Sequence, residues 1–441
     1  MVAPLRVGIA GLGTVGAEVV RVIERQERTL SARCGRPVRV VAVTARSKAK
    51  KRGLDLSGIK WAKSPLAIAT DPDVDCFVEL IGGAGDPAGP AIEAALAAGK
   101  AVVTANKALI AKHGLKLASL AEKHNAALNY EAAVGAAIPV IKTLREGLAG
   151  TDIDRIYGIL NGTCNYILTR MEQEGLSFDD CLADAQRLGY AEADPTFDID
   201  GHDTAQKLAI LASLAFGTKV SESSVYVEGI RSITPEDLRA ADDLGYRVKL
   251  LGVAVRTAKG IEQRVHPTMV PKTSSIAQVM GVTNAVSIDG DGIPPITLVG
   301  AGAGAAATAS AVVADIADVA RGIRAVPFGR PVSGLKATAK APMQRHEGGY
   351  YLRLLARDHA GTAATIAKRL AEQDISIESI VQRHPHRSVD ANGKAAKSSV
   401  PVPVILITYA TAEDAVRRAL QAVQRDKVIS GRPQVIRIEK N

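Results

Sequence analysis

A chain of 441 residues exceeds what one hydrophobic core usually organises, so two or three domains are expected. Its 47% apolar content is that of a globular protein, and 3% aromatics beside abundant Ala and Gly suit close packing of helices on a sheet. The net charge of +9 is spread along the chain, and its basic stretches lack the interleaved aromatics of a nucleic-acid face, so no nucleic-acid partner is expected.

The first ten residues hold one Arg and lead into a strand, without the apolar core and cleavage site of a signal peptide. Cys34, Cys76, Cys164 and Cys181 form no CxxC pair and no metal spacing, so they read as reduced thiols of a cytoplasmic protein. Leu5 to Ala10 reads as a buried strand. Gly11-Leu12-Gly13-Thr14-Val15-Gly16 follows at once, and an amphipathic helix is expected from Ala17 to Leu30. A GxGxxG between strand and helix is the dinucleotide-binding arrangement. Gly11 permits the turn, Gly13 lets a pyrophosphate approach the backbone, Gly16 packs helix on strand, and the helix start offers free N–H groups to phosphate.

The second strand, Val38 to Thr44, ends without the acid that would bind an adenosine ribose. Arg46, Lys48, Lys50, Lys51 and Arg52 stand there instead. Either they are a solvated basic loop, or they read a 2′-phosphate and favour NADP(H), with NAD(H) still usable. Strands are expected at Val74 to Ile81, Ala101 to Val103 and Ala127 to Tyr130, with helices Pro90 to Ala98 and Ala108 to His124 between them. Thr104-Ala105-Asn106-Lys107 falls at a strand's C-terminal end, where open α/β sheets bind ligands, so Lys107 is a candidate site cation.

Asp154 to Leu160 begins a new group of strands, and Asn161-Gly162-Thr163 turns into a helix from Ile167 to Glu174. Strands Arg247 to Val255, Glu262 to Val270 and Ala285 to Ile288 suggest a mixed or antiparallel sheet. Leu298 to Gly304 is expected to open a helix running to Arg321. The uncharged run Leu298 to Ala314, mostly Ala and Gly, is too short and weakly apolar for a membrane span. After a linker from Pro327 to Gly349, the pattern strand, helix, strand, polar hairpin, strand, helix, strand from Tyr350 onward reads as a βαββαβ unit without a catalytic constellation.

The most pointed stretch runs from Tyr190 to Lys207, with five acids and one Lys in eighteen residues. Pro195 and Gly201 break any helix across Glu192 to Asp200, so an ordered acidic loop is expected. Asp203 and Lys207 then share one face of the following helix. That spacing suits an ordinary ion pair or a catalytic pair.

These residues together resemble homoserine dehydrogenase carrying a C-terminal ACT domain, over nearly the full length. The resemblance rests on Gly11 to Gly16, Thr104 to Lys107, Tyr130-Glu131-Ala132, Asn161-Gly162-Thr163 and, most specifically, Gly189 through Lys207. It implies an α/β protein: a Rossmann-type domain over 1–136 completed by 300–325, an α+β catalytic and oligomerisation domain with a mixed sheet over 137–299, a linker over 326–349, and a ferredoxin-like ACT domain over 350–441. It implies NAD(P)H-dependent reduction of L-aspartate 4-semialdehyde to L-homoserine, a homodimer or homotetramer, and threonine as effector. Lys207 takes the place of the general acid, Asp203 that of its partner, and Lys107 sits between cofactor and substrate. Glu192, Asp198, Gly162 and Thr163 match substrate-holding positions. Gly11, Gly13, Thr14, Val15, Gly16, Arg46, Thr104, Lys107 and Gly304 match the cofactor side. The main chain at Glu131, Val134, Ala136 and Ile138 matches a monovalent-cation site, usually sodium.

The chemistry agrees with these roles. Hydride addition to an aldehyde creates an alkoxide that needs a proton and a nearby positive charge, and an amino-acid ammonium needs carboxylates. Two other readings compete. An aspartate-semialdehyde dehydrogenase would use an activated cysteine, for which Cys164 is the candidate. A non-catalytic sensor would need no register between Asp203, Lys207 and the acidic loop.

Overall fold

The computed structural model describes residues 2–337, 343, 346–357, 359–382 and 401–439. The hairpin expected between Gln382 and Val402 falls on 383–400, outside the described residues, as do Asp358 of the expected turn and parts of the 326–349 stretch.

Strands β1 (Leu5–Ala10), β2 (Val38–Thr44), β3 (Lys60–Trp61), β4 (Cys76–Glu79), β5 (Ala101–Thr104) and β6 (Leu128–Asn129) form one sheet in the order β3-β2-β1-β4-β5-β6. Every pairing is parallel. This is the doubly wound nucleotide-binding order, with its switch point at β1 and β4 beside the glycine-rich turn. The central strands are buried almost throughout, which is why they read as mostly apolar runs, broken only by Arg6 in β1 and Glu79 at the end of β4. Helix Ala305–Ala320 returns to this sheet, where Val312, Val313 and Ile316 pack in one core with Val19, Val20 and Ile23 of helix Thr14–Arg25.

The second sheet holds β7 (Ile153–Ile159), β8 (Tyr226–Val227), β9 (Tyr246–Thr257), β10 (Gly260–Pro271), β11 (Thr283–Gly290), β12 (Ile293–Ala301), β13 (Glu347–Ala356), β14 (Ile377–Gln382), β15 (Val402–Thr408), β16 (Thr411–Ala412) and β17 (Ile429–Ile438). Its main path runs β12-β11-β7-β9-β10-β17-β13-β15-β14. The last four positions have the antiparallel arrangement of a βαββαβ unit, covered by helices Thr362–Ala371 and Glu413–Arg425. The unit does not stand apart: β17 pairs in parallel with β10 at Thr268↔Arg437 and Met269↔Ile438.

Four local expectations are corrected, the first being that the helix expected from Ile167 already starts at Gly162, because the Asn161 side chain caps it by accepting the Cys164 N–H. The first helix is two, Thr14–Arg25 and Glu27–Cys34, divided at Gln26, and it begins at Thr14 rather than Ala17. Leu298 to Ala301 is strand, not helix, because it pairs with β11 through Val286↔Leu298 and Thr283↔Ala301; the helix starts only after Gly304, whose φ of 107° ends the extended run. The acidic loop contains one helical turn, Thr196–Ile199, entered from Pro195, whose fixed φ suits a helix start.

Candidate active site

The glycine-rich turn is built by close contact. A Cβ on Gly11 would lie 2.5 Å from the Leu80 carbonyl oxygen, and one on Gly16 would lie 1.9 Å from the Gly11 oxygen. Gly13 differs, since a Cβ there would meet nothing within 4 Å. Above this turn opens a cavity of about 650 Å³ whose wall includes Gly11, Gly13, Arg46, Ser47, Lys50 and Lys63. Thr14 and Val15 form the first turn of the helix beneath it. Arg52 also lines the cavity but is committed elsewhere. Its Nε donates to the Leu12 carbonyl at 2.8 Å and its Nη2 to the Ser47 carbonyl at 2.7 Å, and it stacks over Trp61. Arg52 therefore pins the basic loop to the glycine turn. Among the described residues Arg46 has no such partner. A bare glycine face, a helix start and a cationic wall fit the phosphates of a dinucleotide.

At the end of β5, Thr104 is fully buried and its hydroxyl donates to Glu79 at 2.6 Å. Glu79 also accepts from the Ile81 and Gly82 N–H groups, while Asn106 donates to the Gly83 carbonyl and caps helix Lys107–Lys123. Thr104 thus braces the turn that aims Lys107. Glu79 was not singled out in the sequence, although an acid ending an apolar strand before Gly82-Gly83 was a usable signal.

Lys107 reaches across to the second half of the molecule, where its Nζ lies 3.2 Å from Asp203 Oδ1. Asp203 and Lys207 sit on helix His202–Phe216 and are buried, 4% and 8% exposed. Lys207 Nζ donates to Asp203 Oδ2 at 2.9 Å and to the Leu160 carbonyl at 2.7 Å. Burial alone would raise the pKa of Asp203, but Lys207, Lys107 and the Asn161 amide overcome it and hold the carboxyl at about 2. Asp203 is therefore a fixed anion holding two cations. Asn161 ties in the acidic loop, because its Nδ2 donates at 2.9 Å to both Asp198 Oδ1 and Asp203 Oδ2 while its Oδ1 caps helix Gly162–Glu174. Burial, then the charge of Asp203, push the Asp198 carboxyl above its ordinary range, against the Asn161 hydrogen bond and both lysines. Asn161 was quoted only as part of a motif; an Asn ahead of Gly-Thr-Cys is a capping signal, but its second task is invisible without the fold.

The remaining candidates are spread more widely. Gly162 fits against the Val282 carbonyl, 2.6 Å from where its Cβ would stand. Thr163 is buried, and its hydroxyl donates to the Tyr190 carbonyl at 2.6 Å, which fixes the start of the acidic loop. Glu192 is exposed on that loop, where its main-chain carbonyl accepts from the Gln186 amide, and among the described residues its carboxylate has no hydrogen bond to the Asp203 cluster. Gly304 opens helix Ala305–Ala320 away from the wall of the 650 Å³ cavity. Cys164 is fully buried; burial pushes its thiol well above the usual range, and it donates to the Asp198 carbonyl at 3.2 Å. That is a packing thiol, not an activated nucleophile.

The segment carrying Glu131, Val134, Ala136 and Ile138 is buried and tightly wound. Ala136 has a left-handed φ of 46°, and a Cβ on Gly135 would lie 2.4 Å from the Ile138 oxygen. The Glu131 carboxylate accepts from the Ile141 and Lys142 N–H groups. Beside it, Asp315 has a buried Oδ1 without a hydrogen-bond partner, 3.6 Å from Lys142 Nζ, and burial lifts this carboxyl to about 7. The Glu131 and Ile138 carbonyls accept the Val134 and Val140 N–H groups at 3.3 and 2.8 Å and each keeps a second lone pair; with the Asp315 oxygen these are hard oxygen donors, which fits a small cation. No helix among the described residues is long and apolar enough to cross a membrane.

Two families match the chain: Homoserine dehydrogenase over residues 139–317, and Homoserine dehydrogenase, NAD binding domain, over residues 11–131. A homoserine dehydrogenase of Pseudomonas aeruginosa is 43% identical over 443 residues, covering 99% of each chain. The crystal structure of a homoserine dehydrogenase from Thiobacillus denitrificans superposes with a TM-score of 0.91 at 42% identity, covering 99% of each chain. A hyperthermophilic archaeal homoserine dehydrogenase in complex with NADPH superposes with a TM-score of 0.63 at 28% identity, covering 74% of this chain and 100% of that one.

Proposed function

The chain belongs to the homoserine dehydrogenase family and is an NAD(P)-dependent oxidoreductase acting on a CH–OH group; from this we propose that it reduces L-aspartate 4-semialdehyde to L-homoserine with NADPH as preferred cofactor, under feedback by threonine. The observation that carries the catalytic reading is the buried Asp203 carboxylate, gripped by Lys107 from the nucleotide half and Lys207 from the substrate half.

The bound cofactor supplies a hydride. Lys207 holds the proton that the new alkoxide takes, and its charge stabilises that oxygen as it develops. Asp203 holds and aims the Lys207 ammonium through their 2.9 Å hydrogen bond. Lys107 adds a second positive charge where the halves meet. Asp198 and Glu192 bind the substrate ammonium, and Gly162 with Thr163 shapes the carboxylate end. For Glu192 this role requires the exposed loop to fold inward over the substrate.

On the cofactor side, Arg46 reads the 2′-phosphate, supported by its free guanidinium in the cavity wall and the missing acid at the end of β2. Gly11, Gly13, Thr14, Val15 and Gly16 take the pyrophosphate; Thr104 acts through Glu79, and Gly304 borders the cofactor from the returning helix. The carbonyls of Glu131, Val134, Ala136 and Ile138 hold a sodium-like ion, a reading supported by the left-handed Ala136 and the orphaned Asp315 oxygen. The unit from about residue 350 acts as an ACT domain for threonine. Both family matches end by residue 317, and among its described residues the unit shows no cluster like that around Asp203. Association into a homodimer or homotetramer through the mixed sheet is supported by its edge strand β12, where Val299 is exposed.

One assay tests the core reading: NADPH oxidation by the purified protein with aspartate semialdehyde, with and without threonine. Absence of turnover would leave a sensor without catalysis; turnover insensitive to threonine would remove the regulatory part alone.

A further inference from the structure

Arg437, on β17, is 2% exposed and lies between two carboxylates from different parts of the fold. Its Nη1 donates to Glu228 at 2.6 Å, while Nε and Nη2 donate to Glu413 at 3.0 and 2.7 Å. A guanidinium buried in such a fork has one well-defined place. Glu228 belongs to the segment Tyr226–Arg231, whose next residues run against the turn that carries Asp198. A Cβ on Gly229 would stand 2.3 Å from the Ile199 oxygen and 2.5 Å from Asp200 Cα. The Ile230 N–H donates to the Ile199 carbonyl at 2.9 Å, and Arg231 Nε donates to Asp200 at 2.5 Å. On the other side of the turn, Asn161 holds the Asp198 carboxylate and the Cys164 thiol donates to the Asp198 carbonyl.

The turn is therefore clamped between helix Gly162–Glu174 and a strap whose far end is anchored in the last strand of the chain. We propose that Arg437 is a positioning residue for substrate binding: through Glu228 and the Tyr226–Arg231 strap it holds the Thr196–Ile199 turn so that Asp198 meets the substrate. The packed backbone and the buried Arg437 guanidinium, paired with the partly exposed Glu228, have few alternative arrangements, so a displacement of β17 is passed toward Asp198. This gives the C-terminal unit a physical route to the substrate pocket that avoids the cofactor. The proposal rests on the reading of Asp198 as a ligand of the substrate ammonium.

The test is steady-state kinetics of the full chain with aspartate semialdehyde and NADPH, comparing Arg437→Met, Arg231→Met, Asp198→Asn and the control Arg369→Met. Arg369 pairs with Asp426 inside the C-terminal unit, away from the strap. Arg437→Met and Arg231→Met are expected to raise the semialdehyde KM about fivefold or more, with kcat within about twofold and the NADPH KM unchanged, while Arg369→Met changes none of them. A purely structural role would instead lower the melting temperature and leave this split absent. Arg231 is on the surface, so its variant carries the test if Arg437→Met does not fold. If Asp198→Asn raises the semialdehyde KM while the folded strap variants keep the wild-type value, the positioning role is wrong. If Asp198→Asn leaves KM unchanged, the ammonium reading fails first and the proposal falls with it.

Discussion

Lys107 and Asp203 meet at 3.2 Å across the boundary between the parallel and the mixed sheet. Lys207 occupies the other carboxylate oxygen at 2.9 Å, so one acid ties a cation from each half into a single charged cluster. The polar chemistry of both halves is thereby assembled at one point.

Of the two lysines, Lys207 is the assigned proton donor, because it lies deeper and is fixed by both Asp203 and the Leu160 carbonyl. Lys207→Ala should lower kcat by about a hundredfold to ten-thousandfold with a smaller change in substrate KM. NADPH should still bind, which fluorescence titration can check. A near-normal kcat in Lys207→Ala beside an inactive Lys107→Ala would reverse the assignment.

Asp203 should also stabilise the fold in a pH-dependent way. Its folded pKa of about 2 is depressed from the ordinary 3.8, so the contribution is present above the unfolded value and lost as pH falls toward 2. The shift corresponds to about 2 kcal/mol near neutral pH, falling to roughly half by about pH 3. The stability gap between wild type and Asp203→Asn, from urea unfolding, should narrow accordingly. A constant gap over that range would show that the fold does not lower the Asp203 pKa.

Arg46→Asp should weaken NADPH far more than NADH, because it removes a cation and adds an acid where the 2′-phosphate is read. Arg52 is not an equivalent target, since its loss would free the loop from Leu12 and disturb both cofactors. Equal losses for NADPH and NADH in Arg46→Asp would place 2′-phosphate recognition elsewhere.

Threonine is expected to inhibit the full chain and not a chain ending near Phe328. That shorter chain should also melt at a lower temperature. It loses the β10–β17 pairing, and it uncovers a core shared with Tyr351, Ile405, Ile407, Ile436 and Ile438. Thermal unfolding beside the inhibition curve separates the two effects. An unchanged threonine response in the shorter chain would put the effector site in the first 328 residues.

The local elements were largely legible because their causes are local. GxGxxG between an apolar strand and an amphipathic helix, and Asp203 four residues before Lys207, act over a few residues. Strand β2 runs from Val38 to Thr44 as read, and the βαββαβ order follows from the pattern alone. Where a local rule had two outcomes, pairing decided. Leu298 to Ala301 carries small apolar residues that suit either helix or strand, and hydrogen bonding to β11 made it strand.

What the sequence by itself determined was the type of each part: a dinucleotide turn, an acidic loop feeding an Asp–Lys pair, and a terminal βαββαβ unit. Only the tertiary structure decided which charges share a site. Lys107 and Asp203 lie on two helices far apart in the chain, so no periodicity relates them, and Asn161 could be seen to bridge Asp198 and Asp203 only once three segments had met. The same holds for Arg437, whose buried position between Glu228 and Glu413 depends on β17 joining β10. The physical reason is range: turn chemistry and helical periodicity act between neighbours in the chain, whereas the energy of a buried ion depends on whatever the fold brings within a few ångströms.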